Sequence, residues 1–151
     1  MKDFNSIEDI LNFAIDLEQG AVDFYNNLAE NSKNAEMKEV FSQFAREEMG
    51  HKARLTKIKE EGIFDVASEI VADLHISDYV ISVEVTPNMS YQDALVLAME
   101  REKNAYKLYT KLSAKAPNED LKKIFSNLAQ DEAKHKLRFE LEYDEFVLRE
   151  N

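Results

Sequence analysis

The stretch Glu47-Glu48-Met49-Gly50-His51 lies within a run of residues that recurs with a helical period. The run advances by four and three residues in turn, through Met37, Phe41, Phe44, Glu48, His51, Leu55 and Ile58. This step is typical of the core-facing stripe of a long helix. Burying a carboxylate and an imidazole side by side costs on the order of several kcal/mol unless a partner compensates them. Because Glu48 and His51 are three residues apart, they share one helix face, which suits two ligands of one metal ion.

The same pattern returns 84 residues later, at Asp131-Glu132-Ala133-Lys134-His135. Residues 6–55 and 90–139 align without a gap and are identical at 17 of 50 positions. The identities include Ser6/Ser90, Glu18/Glu102, Tyr25/Tyr109, Phe41/Phe125, Glu48/Glu132, His51/His135 and Arg54/Arg138. The chain is therefore predicted to be a duplicated helical hairpin.

The composition favours one helical domain. The chain has 151 residues, enough for a sizeable core, and only three glycines and two prolines interrupt it. We predict an all-α single domain over 1–151, with helices at about 6–31, 34–62, 90–115 and 118–148. Ser6, Asn34 and Ser90 are the expected N-caps, and Gly62 is the expected stop of the second helix.

A long segment over 63–89 should connect the two hairpins, because about 27 residues exceed a usual helix–helix loop. Within it the sequence predicts a short helix in 66–74, an extended stretch over 79–85 and a turn at 86–88. A connection of this length can run along the side of a four-helix bundle.

Charge and residue types exclude several function classes. The net charge of −11 argues against a nucleic-acid surface, and no apolar window approaches the roughly 18 residues of a membrane span. The first six residues have no apolar signal core, so we expect a cytoplasmic protein. Without cysteine there is no disulfide or thiolate chemistry, so redox chemistry would need a bound metal and electrons from elsewhere.

Two further carboxylates interrupt the apolar stripes of the first and third helices, at Glu18 and Glu102. If the two hairpins pack about an approximate two-fold axis, the bundle gains one Glu from each of two helices and one Glu-x-x-His from each of the others. That is the ligand set of carboxylate-bridged di-iron and di-manganese bundles. The predicted ligands are Glu18, Glu48, His51, Glu102, Glu132 and His135.

The roles of these ligands follow from their places in such a bundle. Glu48 and Glu132 would bridge two metal ions, Glu18 and Glu102 would be terminal, and each His would bind one ion. Four carboxylates carry a charge that two divalent ions cancel. We expect two iron ions per chain; manganese fits the same ligands, and zinc or cobalt could substitute.

Tyr25 and Tyr109 lie two turns after Glu18 and Glu102. They are ordinary core aromatics, or they act from outside the ligand set, by donating a hydrogen bond to a metal-bound carboxylate or as a local electron donor. His75 is expected to be a surface or packing residue and not a ligand. Arg54 and Arg138 are expected to form surface ion pairs.

The motifs Glu18-x6-Tyr25, Glu48-x-x-His51, Glu102-x6-Tyr109 and Glu132-x-x-His135 resemble those of the ferritin-like superfamily. The segment from Ala21 to Ala29 is most similar to the rubrerythrin branch. The resemblance implies a ferritin-like four-helix bundle with a non-haem di-iron site, often in a homodimer, that reacts with hydrogen peroxide or O2. An external electron donor such as a rubredoxin would be needed, since the chain lacks the cysteine-bound iron domain of typical rubrerythrins. Typical rubrerythrins also have a second glutamate one turn from the third-helix ligand, where this chain has Met99 and Ala105.

Two functions remain open on this basis. The first is an oxidoreductase that reduces peroxide, or reacts with O2, at the di-iron site. The second is an iron-binding or ferroxidase protein that stores or handles iron without peroxidase turnover. In a third, plainer reading the metal only stabilises the bundle.

Overall fold

A computed structural model of the protein describes residues 6–62, His75, Tyr79 and 89–150, which form four α-helices and no strand. Helix α1 spans Ile7–Asn31, α2 Ala35–Glu61, α3 Tyr91–Lys115 and α4 Glu119–Glu150. The four predicted helices are therefore present. The structure predicted within 63–88, a short helix, an extended stretch and a turn, lies outside the described residues except at His75 and Tyr79.

Side-chain caps fix where the helices begin. Ser6 and Ser90 each accept a hydrogen bond from the backbone N–H three residues on, at 3.1 and 3.0 Å. Asn34 and Asn118 do the same at the start of α2 and α4, at 3.1 and 2.9 Å. These bonds satisfy N–H groups that the first helical turn leaves without a partner.

Helix α2 ends at Gly62, as the sequence predicts. Its φ of 62° is left-handed, and its N–H donates to the carbonyls of Ile58 and Lys59. Glycine adopts this conformation without the steric cost that a side chain would add.

The chain forms two compact units, one containing α1 and α2 and the other α3 and α4. In the first unit α1 packs against α2 through their apolar stripes. The buried residues include Ile10, Leu11, Ala14, Val22, Phe24 and Tyr25 of α1 and Met37, Phe41, Leu55 and Ile58 of α2. The single domain predicted for 1–151 stays a prediction.

In the second unit α3 packs against α4 in the same way. The buried residues include Leu95, Leu97, Leu108, Tyr109 and Leu112 of α3 and Leu121, Phe125, Leu128 and Phe139 of α4. Asn104, also buried, donates from its side-chain amide to the carbonyl of Tyr79 at 3.4 Å. The second unit therefore includes part of the connecting segment.

None of the described helices combines the length and the apolar character that crossing a membrane requires.

Candidate metal centre

The first hairpin brings together three of the predicted ligands. Glu18 on α1 and Glu48 and His51 on α2 are each at most 2% exposed. Nδ1 of His51 lies 3.2 Å from Oε1 of Glu48 and 3.6 Å from Oε2 of Glu18. One ligand atom from each of the three residues lies within 4.8 Å of the other two.

The second hairpin repeats the arrangement. Glu102 on α3 and Glu132 and His135 on α4 are again at most 2% exposed. Nδ1 of His135 lies 3.4 Å from Oε1 of Glu102. The three ligand atoms also fall within 4.8 Å of one another. We call these two groups of three residues the first and the second triad.

The two carboxylates strongly perturb the imidazole of the first triad. Burial lowers the pKa of His51, but hydrogen bonds and the charges of Glu18 and Glu48 outweigh burial and raise this pKa to about 11. In the metal-free protein His51 is therefore protonated at neutral pH. A positive charge stands between two buried carboxylates, where a metal ion would provide the same compensation.

The triads fit a metal ion by both distance and donor type. Bonds of about 2.0–2.2 Å to carboxylate oxygen and imidazole nitrogen hold the ligand atoms of one ion roughly 3–4 Å apart. The observed separations of 3.2–3.6 Å match that range. Two carboxylates and one neutral imidazole carry a charge of −2, which one divalent ion cancels. Mixed oxygen and nitrogen donors suit iron or manganese better than thiophilic metals.

Comparison with known proteins decides the family. The sequence model of the rubrerythrin family matches residues 9–143, nearly the whole chain. The chain belongs to the rubrerythrin family. The resemblance seen in the four motifs is thereby confirmed.

Two solved structures are similar to this rubrerythrin-family chain over most of their length. One is a hypothetical protein from Pyrococcus furiosus, 29% identical, with a TM-score of 0.73 over 92% of this chain and 89% of that one. The other is a proposed ferritin-like diiron-carboxylate protein from Thermotoga maritima, 24% identical, with a TM-score of 0.73 over 96% of this chain and 99% of that one. These similarities confirm the predicted ferritin-like fold. Among curated proteins none matches the chain significantly.

Tyr25 and Tyr109 are completely buried. The ring of Tyr25 meets Phe44 edge-on at 6.4 Å, and the ring of Tyr109 stacks on Phe125 at 6.5 Å. These contacts establish both tyrosines as core aromatics in the rubrerythrin-family fold. The additional role of their hydroxyls beside metal-bound carboxylates stays a prediction.

The remaining polar residues singled out in the sequence belong to neither triad. His75 and Arg54 are exposed, as expected, and Arg138 is half-buried. No ion pair of Arg54 is among the salt bridges of the described residues, so the predicted pair is not seen there.

Sequence reasoning missed one buried carboxylate, Glu142 on α4, which is 2% exposed. The hydroxyl of Tyr91 donates to it at 2.9 Å, and Arg149 lies 3.7 Å away. Extending the α4 stripe by three residues beyond Phe139 reaches Glu142, so the helical period held the signal. Glu142 belongs to neither triad, and its hydrogen bond marks it as a structural group.

Proposed function

We propose that this protein is a non-haem di-iron oxidoreductase that reduces hydrogen peroxide, or reacts with O2, with electrons from an external donor. The observation that supports the proposal is the pair of buried triads in a chain of the rubrerythrin family. Six ionisable side chains, each at most 2% exposed, are too unfavourable to bury for packing alone.

The proposal joins the two triads into one centre with two iron ions. The sequence duplication supports this step, because a two-fold arrangement supplies equivalent ligands to two equivalent ions. Glu48 and Glu132 would bridge the ions, Glu18 and Glu102 would be terminal ligands, and His51 and His135 would bind one ion each. The four carboxylate charges then balance two divalent ions. Manganese, zinc or cobalt would fit the same donors.

When bound, the two iron ions supply the electrons that convert one peroxide molecule, with two protons, into two water molecules. The chain's own residues prepare the site for this reaction. The apolar residues around each triad exclude water, and shifts of the carboxylates would accommodate the change of charge. His51 must give up its proton to solvent before it can bind a metal ion through that nitrogen.

We propose an external source for the electrons, because the 151 residues contain no cysteine for a second iron centre of the rubredoxin type. An electron-transfer protein such as a rubredoxin is the expected donor. A cytoplasmic location and a homodimer complete the proposal, and neither nucleic acid nor membrane is an expected partner.

A second candidate is a ferritin-like protein that oxidises, holds or hands over iron with little peroxidase turnover. One observation favours it. The positions one turn on either side of Glu102 are Met99 and Ala105, so α3 offers no second carboxylate there to exchange with a histidine during turnover.

Stopped-flow oxidation of the Fe(II)-loaded protein separates the two candidates. The oxidoreductase should react faster with peroxide than with O2, and a rubredoxin should then reduce it again over repeated cycles. Mineral growth far beyond two iron ions per chain would instead establish storage and rule out the peroxidase. The variant Glu48→Ala with Glu132→Ala should lose the reaction, and Glu47→Ala with Asp131→Ala is its matched control, because both of these residues precede a ligand without belonging to a triad.

A further inference from the structure

A solvent-exposed groove of about 470 Å³ lies between α3 and α4 in the second hairpin. It is lined by Lys103, Tyr106, Lys107, Ala133, Lys136 and Glu140, and we call it the lysine groove. Tyr106 is 43% exposed, so its ring can contact a molecule that binds in the groove. Tyrosine is one of the residues that are enriched in protein–protein interfaces.

The lysine groove is basic although the chain as a whole has a net charge of −11. Three lysines line it against one carboxylate, and that carboxylate, Glu140, pairs with Lys136 at 3.0 Å. Lys103 and Lys107 are exposed, so their charges face solvent. They begin a row of lysines one turn apart along α3, at 103, 107, 111 and 115. The groove therefore offers a local positive potential to a negatively charged partner.

The duplicated hairpin shows that folding does not require these lysines. At the positions equivalent to Lys103, Tyr106 and Lys107, the first hairpin has Gln19, Val22 and Asp23. At the positions of Lys103 and Lys107, which carry two positive charges, the first hairpin therefore carries one negative charge, on Asp23. The basic character belongs to one hairpin only.

The helix dipole accounts for part of the lysine row but not for the groove. Lys111 and Lys115 lie in the last two turns of α3, where positive charge stabilises a helix C-terminus. Lys103 and Lys107 precede the end of α3 by three and two turns, where the dipole has little effect.

The groove lies on the same helical turns as the second triad. Lys103 directly follows Glu102, Ala133 follows Glu132, and Lys136 follows His135. The triad side chains are buried while the neighbouring groove residues are half-buried or exposed. Since a helix with its side chains is only about 10–12 Å across, a molecule in the groove would lie close to the triad.

We propose that the lysine groove is the docking surface for an acidic electron-transfer protein that reduces the metal centre. This rests on the proposed function, which requires electrons from outside the chain. Charge complementarity selects the partner, and the short distance through one helix gives it a place from which to deliver electrons.

Binding can be tested apart from turnover with a rubredoxin of net negative charge whose iron is replaced by redox-inert zinc. The variant Lys103→Gln with Lys107→Asp copies the residues of the first hairpin, which the helix accepts. At an ionic strength of about 10 mM it should bind this probe about tenfold more weakly than the wild type, and the difference should vanish near 1 M salt. Lys33→Gln with Lys38→Asp makes the same change in net charge at exposed sites of the first hairpin and should bind as the wild type does.

The reduced iron form of the same rubredoxin then tests delivery of electrons. The groove variant should accept electrons from it about tenfold more slowly at low salt, yet react with peroxide at the wild-type rate once dithionite has reduced it. If every dithionite-reduced protein reacted slowly with peroxide, the proposed function would be rejected. The docking surface would still be supported if binding of the zinc probe continued to depend on the groove.

Equal probe binding by the wild type and the groove variant would overturn the docking proposal, as would an equal loss in the control. A groove variant that changes from dimer to monomer would assign the groove to a second copy of the chain. Loss of single-stranded DNA binding in the variant, with rubredoxin binding unchanged, would assign the groove to nucleic acid; either result would overturn the proposal.

Discussion

His51 sits on the buried stripe of α2, yet it has two carboxylates as nearest charged neighbours. Its raised pKa, about 11, shows that the two glutamates favour a cation at this point strongly enough to outweigh burial. In the metal-free protein the proton on His51 provides this positive charge. A metal ion must therefore compete with the proton for the same site.

Metal binding should release protons at neutral pH, because His51 must become neutral to act as a ligand. For each proton released, the apparent metal affinity should rise about tenfold per pH unit. Calorimetric titration of metal in buffers of different ionisation enthalpy counts these protons. His51→Ala should release at least one fewer per chain, and the exposed His75→Ala should match the wild type. Proton release that His51→Ala leaves unchanged would contradict the pKa assignment.

Metal affinity should rise with pH, whereas the stability of the metal-free protein should fall with pH. A raised pKa means that the proton on His51 stabilises the metal-free fold fully below its ordinary pKa of 6.5. That contribution is lost as the pH rises towards 11. High pH therefore favours metal binding while it weakens the empty site.

Tyr91 of α3 donates a hydrogen bond to Glu142 of α4, and this contact has no counterpart in the first hairpin. Burial, together with the hydrogen bond to Glu142, raises the pKa of Tyr91. The ring of Tyr91 also meets Phe146 edge-on at 5.0 Å. At the equivalent positions the first hairpin has Ile7 and Ile58, an apolar pair.

Tyr91→Phe should lower the free energy of unfolding by about 1–3 kcal/mol, because it removes a hydrogen bond to a buried carboxylate. Replacing both partners, Tyr91→Ile with Glu142→Ile, should bring the stability back near the wild-type value, since it copies the first hairpin's pair. Urea denaturation of the metal-loaded proteins measures both. A double variant less stable than Tyr91→Phe would contradict this prediction, because it would show that an apolar pair cannot replace Tyr91 and Glu142 in the second hairpin.

The helices were predictable because their signals are local. The caps at Ser6, Asn34 and Ser90 and the stop at Gly62 depend only on neighbouring residues, and the structure has each in place. The α4 stripe extended beyond Phe139 reaches Glu142, but the partner of its carboxylate, Tyr91, comes from another helix and could not be predicted from that stripe. The lysine groove was missed for the same reason, since it exists only once α3 and α4 are paired.

The six candidate metal ligands could be selected from the sequence because the duplication presents each of them twice; that they bind metal stays a prediction. Glu18 recurs as Glu102, and the pair Glu48 and His51 recurs as Glu132 and His135. Helical periodicity cannot predict the separations within each triad or the raised pKa of His51, which come from the structure. The reaction depends on partners and redox behaviour that a helical pattern does not encode.

The central claim is that the six residues hold two iron ions in one chain. Metal analysis of protein purified without oxygen tests it most directly, on the wild type and on Glu48→Ala with Glu132→Ala. We expect about two iron ions per wild-type chain and almost none in this variant, with Glu47→Ala plus Asp131→Ala as the control that keeps its iron. Unchanged metal content after loss of Glu48 and Glu132 would contradict the site and the proposed function with it.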